Sequence, residues 1–157
     1  MLVYHGSHLV VENPDIVHSR DKLDFGKGFY VTPLREQAVK WTSRYVPRYG
    51  HGVVSRYECD EAALAVCRIL DFPHYSDDWL DLIVSCRKGN DVTDYDVIRG
   101  GVANDKVFNT CELFFRGLIV RETAIDRLRF ESPNLQLCFK TQRAIRNCLT
   151  FIGSETT

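Results

Sequence analysis

Two short segments near the N-terminus carry groups that suit a flat, charged ring. His5 ends an apolar strand pattern and precedes Gly6, whose missing side chain lets a flat ligand approach the backbone. Tyr30 follows Gly26 and Gly28, which likewise clear space beside it. A histidine donor, an exposed pair of main-chain groups and an aromatic surface together suit a planar, cationic ring that carries a carboxamide. Each feature taken alone is also common in an ordinary protein core.

Other ligand motifs are excluded by the residues at their key positions. Gly26 and Gly28 begin a G-x-G, but Val31 stands where a dinucleotide fingerprint needs its third glycine, and no Walker lysine-serine pattern occurs. Asp24-Phe25-Gly26 spells the metal-binding triplet of protein kinases. Only 23 residues precede it, too few for an ATP-binding lobe.

Composition favours one intracellular domain spanning residues 1–157. The net charge of −1 gives no global field toward nucleic acid or membrane. No run of 18 apolar residues and no signal-type N-terminus is present, so we expect neither a membrane span nor secretion. The six cysteines lack CxxC spacing and the histidines lack ligand spacing, which favours reduced thiols in the cytoplasm and no metal.

Hydrophobic periodicity and turn residues predict a mixed fold. A helix capped by Thr32, with Pro33 at its first position, carries apolar residues as far as Tyr45, and Ser76 caps a second helix. Strands are predicted at Leu2–Tyr4, Phe29–Thr32, Val53–Tyr57, Tyr95–Ile98, Leu135–Phe139 and Leu149–Phe151, with further helices around 105–115, around 122–129 and from about 141. These elements do not alternate in units long enough for parallel crossovers, so we expect an α+β fold with mainly antiparallel sheets.

The motifs that surround these residues resemble a known family. Val3–Ser7 resembles the "hydrophobic-H-G-[S/T]" strand of ADP-ribosyltransferases of the diphtheria-toxin and poly(ADP-ribose) polymerase type, and Phe25–Tyr30 is similar to their "F-G-x-G-[IF]-Y" segment. The chain is closer still to an uncharacterised bacterial family with the signature D-F-G-K-G-F-Y. That family shares a tryptophan-led helix like residues 79–81, a Y-D-[IV]-[IV] strand with V-A-N-D downstream like residues 95–105, and an N-x-Q-x-x-F strand like residues 134–139.

The resemblance implies a fold, a substrate and residue roles. It implies two packed, mostly antiparallel sheets with flanking helices and a cleft that binds NAD+ as substrate. His5 would bond the adenosine ribose, and the backbone of Gly6, supported by the Ser7 hydroxyl, would hold the nicotinamide carboxamide. Tyr30 would stack on nicotinamide, next to Gly28.

The late strand departs from the family pattern. Relatives often carry a glutamate there, which bonds the nicotinamide ribose and stabilises the cationic transition state, whereas this chain has Gln136. An amide supplies a dipole in place of a full charge, so Gln136 implies a slower or differently assisted reaction, and a glutamate at this position should raise NAD+ hydrolysis. Asp105 is our first candidate for an assisting acid, ahead of Glu131 and Asp24. The alternative explanation of Asp105 is a helix-terminal cap, and that of Gln136 is an ordinary strand glutamine.

Two basic residues are candidates for binding phosphate, and the resemblance also implies an activity for the protein. Arg20 and Lys27 are candidates for neutralising the NAD+ diphosphate, or are solvated loop charges. The resemblance implies an ADP-ribosyltransferase, of the glycosyltransferase class, that modifies a macromolecular acceptor of unknown type. Small bacterial relatives are typically toxins, often with an antitoxin partner. The alternatives are an NAD+ glycohydrolase and a weak or inactive module that binds NAD+ or ADP-ribose.

Overall fold

A computed structural model describes residues 1–104, 109–130 and 132–157. In these ranges the chain forms strands and helices in the following order: β1 (Leu2–Ser7), β2 (Phe29–Val31), α1 (Arg35–Thr42), α2 (Val46–Tyr49), β3 (Val53–Cys59), α3 (Glu61–Ala65), β4 (Ile69–Asp71), α4 (Asp77–Arg87), β5 (Val97–Gly100), α5 (Thr110–Phe115), α6 (Arg121–Leu128), β6 (Gln136–Phe139), α7 (Gln142–Cys148) and β7 (Leu149–Thr156).

Two sheets make up the strand layers. Sheet A has the order β1-β3-β7 and is antiparallel throughout. Sheet B has the order β2-β6-β5-β4 and is antiparallel except for the parallel pair β4 and β5. The predicted α+β class with mostly antiparallel sheets is therefore confirmed. The parallel pair was not predicted, because β4 has only three residues and gives no periodic signal.

Strand β6 lies at the centre of sheet B, and both of its faces are buried. Leu137 and Phe139 pack into a core with Val3 of β1 and Tyr57 of β3. Cys138, one residue out of phase, packs into a second core that includes residues from α4 and α6. Gln136 faces away from Leu137, as its place in the alternating pattern predicted, and is itself buried. The strand that carries it is thus fixed by two cores at once.

The first predicted helix begins later than its sequence signals suggested. Thr32 pairs with Tyr4 across the two sheets, and its hydroxyl accepts from the Leu34 N–H at 3.0 Å. Helix α1 therefore starts at Arg35, with no side-chain cap, and stops at Thr42. Tyr45 lies outside it, because the chain turns there before α2. The Thr32 cap prediction was wrong because a strand contact, which local sequence does not encode, takes that residue.

The second predicted helix begins where expected. Ser76 occupies the N-cap position of α4, and its hydroxyl accepts from the Trp79 N–H at 3.2 Å. Trp79 is fully buried on the inner face of α4, and its indole N–H donates to the Gly101 carbonyl at 3.1 Å. Since Gly101 follows β5, this bond ties α4 to the end of a sheet B strand.

Trp79→Phe should lower the free energy of unfolding by about 2 kcal/mol. The change removes buried volume and the donor to Gly101, and each loss contributes on the order of 1 kcal/mol. Trp41→Phe is the matched control, because Trp41 is only partly buried. Urea denaturation of both variants checks this, and equal losses in the two would contradict it.

Candidate active site

The site lies where the edge strands of the two sheets meet. β1 is the edge of sheet A, β2 is the edge of sheet B, and a single bridge joins them. In that bridge the Tyr4 N–H donates to the Thr32 carbonyl at 2.8 Å, and the Thr32 N–H donates to the Tyr4 carbonyl at 2.9 Å. Among the described residues β1 and β2 form no further backbone pair, and residues of both strands line a groove beside the bridge.

The main chain of Gly6 points into this opening. Met1 exchanges backbone bonds with Cys59, so the odd residues of β1 direct their N–H and C=O groups toward β3. The even residues point the other way, as the Tyr4 bridge shows. Gly6 has the same orientation as Tyr4, one step past the bridge, and no described backbone group pairs with it there. The strand thus offers one donor and one acceptor side by side.

The missing side chain of Gly6 has a packing role that sequence reasoning did not foresee. A Cβ there would overlap the carbonyl oxygen of Ala38 in α1 and lie 3.1 Å from the Trp41 Cβ. The glycine therefore lets α1 sit close against β1. It was expected to clear space for a ligand, whereas the space is taken by the helix and only the backbone edge faces the groove.

His5 is oriented by two neighbours. Its ring stacks on Phe29 with centroids 4.5 Å apart, and its Nδ1 lies 2.7 Å from the Tyr30 carbonyl oxygen. A carbonyl only accepts, so Nδ1 carries the proton and Nε2 is left as an acceptor in the neutral ring. Burial lowers the pKa of His5 below 6.5, and the charge of Arg44 lowers it further. The neutral form is therefore favoured at neutral pH.

The loop before β2 is wrapped around a buried ammonium group. Lys140 donates to the carbonyls of Phe25, at 2.8 Å, and Lys27, and to the Asp91 carboxylate at 2.6 Å. Between them, the Gly26 carbonyl accepts from the Tyr30 hydroxyl at 2.6 Å. Three successive carbonyls thus point inward. This arrangement fixes the Tyr30 ring, and burial raises the pKa of its hydroxyl.

Gly26 and Gly28 serve this loop. Gly26 has φ of +72°, and a Cβ there would overlap the Asp91 carboxylate. A Cβ at Gly28 would overlap the Cys138 Sγ and lie 2.7 Å from the Phe139 carbonyl oxygen. The pair was interpreted as space beside Tyr30 for a ligand; instead it lets the loop close against β6.

Gln136 is held by Asp24. Its Nε2 donates to Asp24 Oδ2 at 3.0 Å and to the Gly101 carbonyl at 3.3 Å. The same Oδ2 accepts from the Ala103 N–H at 2.8 Å, and Oδ1 accepts from Arg87 Nη2 at 2.7 Å and Nε at 3.1 Å. Both amide protons of Gln136 are used, so its Oε1 is the group that remains to accept a bond.

The Tyr30 and His5 side chains lie on opposite sides of β2. Tyr30 pairs with Cys138 and so shares a face of sheet B with Gln136. His5 stacks on Phe29, whose side chain lies on the opposite face. His5, Phe29, Tyr30 and Gln136 nevertheless all line the same groove, and β2 is an edge strand of sheet B.

The groove has a volume of about 2740 Å³ and collects most of the predicted site residues. His5, Gly6, Ser7, Arg20, Gly28, Tyr30 and Gln136 all line it. Lys27 does not line the groove, and the Ser7 hydroxyl donates to the Leu9 carbonyl at 2.6 Å, which holds the local turn. Asp105 and Glu131 lie outside the described residues. Asp24, ranked behind them, is the carboxylate beside Gln136.

Sequence reasoning missed two residues that organise the site. Lys140 follows β6 and gave no motif signal. Asp24 was noticed only as one of several acids, because its partner Gln136 is 112 positions away. Among the described residues no group of three or more histidine, cysteine, aspartate or glutamate side chains is arranged to hold a metal ion. Within the same ranges no helix has the length and hydropathy needed to cross a bilayer.

Comparison with known proteins assigns the chain to a family without assigning an activity. Residues 1–151 match the family described as "Protein of unknown function (DUF3990)", and the chain belongs to that family. No curated protein matches it.

Lys140→Met should lower the free energy of unfolding by about 3 kcal/mol, because it leaves two inward carbonyls and the Asp91 carboxylate without their donor. Lys40→Met is the control, since Lys40 is exposed on α1. Chemical denaturation of the two variants measures the difference. A loss below 1 kcal/mol in Lys140→Met would show that the ammonium is not needed to hold the loop.

His5 should titrate with a midpoint below 6.5, as followed by the NMR shift of its ring Cε1 proton. Between that midpoint and pH 6.5 the unfolded chain binds more protons than the folded one. The free energy of unfolding should therefore fall as the pH is lowered through this window, and His5→Gln should remove that part of the slope. A midpoint above 6.5 would contradict the neutral assignment of the ring.

Proposed function

We propose that the chain is an NAD+-dependent ADP-ribosyltransferase, which breaks the bond between nicotinamide and ribose and transfers ADP-ribose to a macromolecular acceptor. The observation that carries this proposal is that one groove is lined by three hydrogen-bonding groups for which the described residues provide no partner. These are the main chain of Gly6, the Nε2 of His5 and the Oε1 of Gln136. The resemblance of the motifs around His5 and Tyr30 to known transferases supports it.

The Gly6 edge complements a carboxamide. Its N–H donates to the carboxamide oxygen and its C=O accepts from the carboxamide nitrogen, in the manner of one added strand residue. Tyr30, on the face that also carries Gln136, offers an aromatic surface for the nicotinamide ring. His5, neutral and protonated on Nδ1, accepts a hydrogen bond from a sugar hydroxyl through Nε2. Together these groups fix the orientation of the ring and of one ribose.

Gln136 and Asp24 together take the part for which relatives use a glutamate. Gln136 Oε1 accepts from a hydroxyl of the nicotinamide ribose, and Asp24 behind the amide polarises it through the bond at 3.0 Å. As the bond to nicotinamide breaks, its electron pair leaves with the neutral ring and positive charge develops on the ribose. A carboxylate so close to the amide stabilises that charge electrostatically.

The shape of the groove suits a second reactant. The groove is a wide surface depression and not an enclosed pocket, so its open side leaves a bound dinucleotide accessible to an acceptor group. By resemblance to small bacterial transferases, we propose that the protein is a toxin acting in the cytoplasm, and that an antitoxin protein is its partner.

One observation favours a binding module as the second candidate. The Asp24 carboxylate is already paired with Arg87 at 2.7 Å, which offsets part of its negative charge, and Gln136 is neutral. A chain with this site could bind NAD+ or ADP-ribose and turn it over slowly, or pass ADP-ribose only to water as a glycohydrolase does. The two readings differ in turnover and share the same ligand contacts.

Incubation with NAD+ labelled on adenine and on nicotinamide tests the proposal. Release of nicotinamide together with labelled macromolecules in a lysate supports transfer, and release without labelled macromolecules supports hydrolysis. Binding without release supports the module. Absence of binding by calorimetry would refute all three.

Asp24→Asn should reduce turnover roughly a hundredfold and change NAD+ affinity much less, because the lost charge matters most as the ribose becomes positive. Asp71→Asn is the matched control. Asp71 pairs with Arg99 at 2.8 Å and does not line the groove. Equal turnover in the two variants would remove Asp24 from the mechanism.

The Asp24 contact also reverses our expectation for Gln136→Glu. A glutamate there would place a second carboxylate against Asp24 Oδ2 and the Gly101 carbonyl, both of which need a donor. We now expect Gln136→Glu to lose turnover and stability in the single variant. The double variant Gln136→Glu with Asp24→Asn should recover part of the turnover and part of the stability that Gln136→Glu loses. Such recovery would show that the loss comes from repulsion between two carboxylates and not from the missing amide.

A further inference from the structure

Aromatic rings and guanidinium groups form a stack along the groove near His5. The His8 ring stacks on Tyr49 with centroids 4.3 Å apart and lies 5.3 Å from the Tyr45 ring. Arg48 covers Tyr49 with its guanidinium carbon 5.4 Å from the ring centroid, and Arg44 covers Tyr45 at 5.9 Å. We call these five residues the arginine stack. All five line the groove.

The two arginines have no carboxylate partner among the described residues. The Nε of Arg44 donates to the Trp41 carbonyl at 3.1 Å, which leaves its two Nη groups. Arg48 forms no ion pair with a described side chain. Stacking on tyrosine restricts each guanidinium and leaves its N–H edge available, so less entropy is lost when an anion binds.

The charge around the groove is opposite in sign to the charge of the whole chain. Among the described residues that line it, nine are lysine or arginine and five are aspartate or glutamate, while the chain carries a net charge of −1. Arg44 is also close enough to lower the pKa of His5 by its charge. The arginine stack is thus electrostatically coupled to the residue that would hold a ribose.

We propose that Arg44 and Arg48 bind the diphosphate of the dinucleotide, with the rings of the arginine stack fixing the two guanidinium groups in place. This inference rests on the proposed function and deepens it. The two arginines lie over neighbouring tyrosine rings whose centroids are 6.4 Å apart, and each guanidinium can donate a forked pair of N–H bonds to one phosphate of a diphosphate. The net charge of −1 disfavours a nucleic-acid strand as the ligand. Arg20 and Lys27 are not needed for this role.

The test is calorimetry on the full chain with NAD+, ADP-ribose, ADP, nicotinamide and a single-stranded oligonucleotide as separate probes. The variant is Arg44→Gln with Arg48→Gln, and the control is Arg116→Gln with Arg146→Gln, which removes the same charge from exposed positions outside the groove. Affinity for ADP-ribose and ADP should fall on the order of tenfold to a hundredfold in the variant, because charge-assisted bonds are lost. Nicotinamide binding and the control should not change.

Replacement of both arginines by lysine should give an intermediate loss, since charge remains but the fork and the stacking are removed. Thermal melting verifies that every variant is folded. Wild-type affinity for ADP-ribose in the Arg44 and Arg48 variant would overturn the inference and leave the proposed function standing. Arginine-dependent ADP binding without NAD+ binding would support the diphosphate site and refute the proposed function.

Two results would overturn the diphosphate assignment by other routes. A single-stranded oligonucleotide that binds through Arg44 and Arg48, when ADP-ribose does not bind, would assign the arginine stack to a nucleic-acid backbone. Failure of every nucleotide probe to bind the wild-type chain would refute the diphosphate site and the proposed function together.

Discussion

The carboxylate of Asp24 accepts hydrogen bonds from Arg87 at the end of α4, from the main chain at Ala103 after β5, and from Gln136 in β6. Each donor belongs to a different part of the fold, and the carboxylate brings all of them to the floor of the groove. A buried ionised group is stable only when its oxygens are satisfied, and here both oxygens are. The bond from Gln136 to Asp24, together with its bond to the Gly101 carbonyl, decides which way the Gln136 amide faces. Fold stability and the orientation of the candidate catalytic group therefore depend on one side chain.

Lys140 organises the loop before β2, as Asp24 organises the surroundings of Gln136. Its ammonium replaces water for two carbonyls of the loop before β2, and that loop positions the Tyr30 ring. Replacing a buried ion pair by apolar residues often costs little, but removing one partner leaves polar groups stranded. A substitution of Lys140 removes the donor to these carbonyls. A side chain at Gly26 or Gly28 would overlap Asp91 or Cys138. Residues 25–28 form neither a helix nor a strand, and the loop is held in place by its contacts with β6 and Lys140.

Local signals predicted the elements that carry the site, and long-range contacts decided the rest. The strands bearing His5 and Tyr30 and the cap of α4 at Ser76 follow from adjacent residues, so the sequence was sufficient for them. The partnership of Gln136 with Asp24 spans 112 positions, and that of Lys140 with Phe25 spans 115. No pattern within a window of one helix or strand reports such pairs. The same limit applies to Gly6. The sequence indicated that a close approach requires a glycine there, but only the fold shows that helix α1, and not a ligand, makes this approach.

Strand order has a consequence for the time at which the groove forms during synthesis. β6 separates β2 from β5, and β7 pairs with β3, so both sheets depend on residues 136–156. β1 can pair with β3 as soon as residues 53–59 have emerged, but a nascent chain that still holds β6 in the ribosome leaves β2 without a strand partner and the groove without its floor. Such topologies fold slowly, because distant segments must meet before any sheet is closed. The floor of the groove therefore forms only when β6 joins β2 and β5, after every earlier strand has been made.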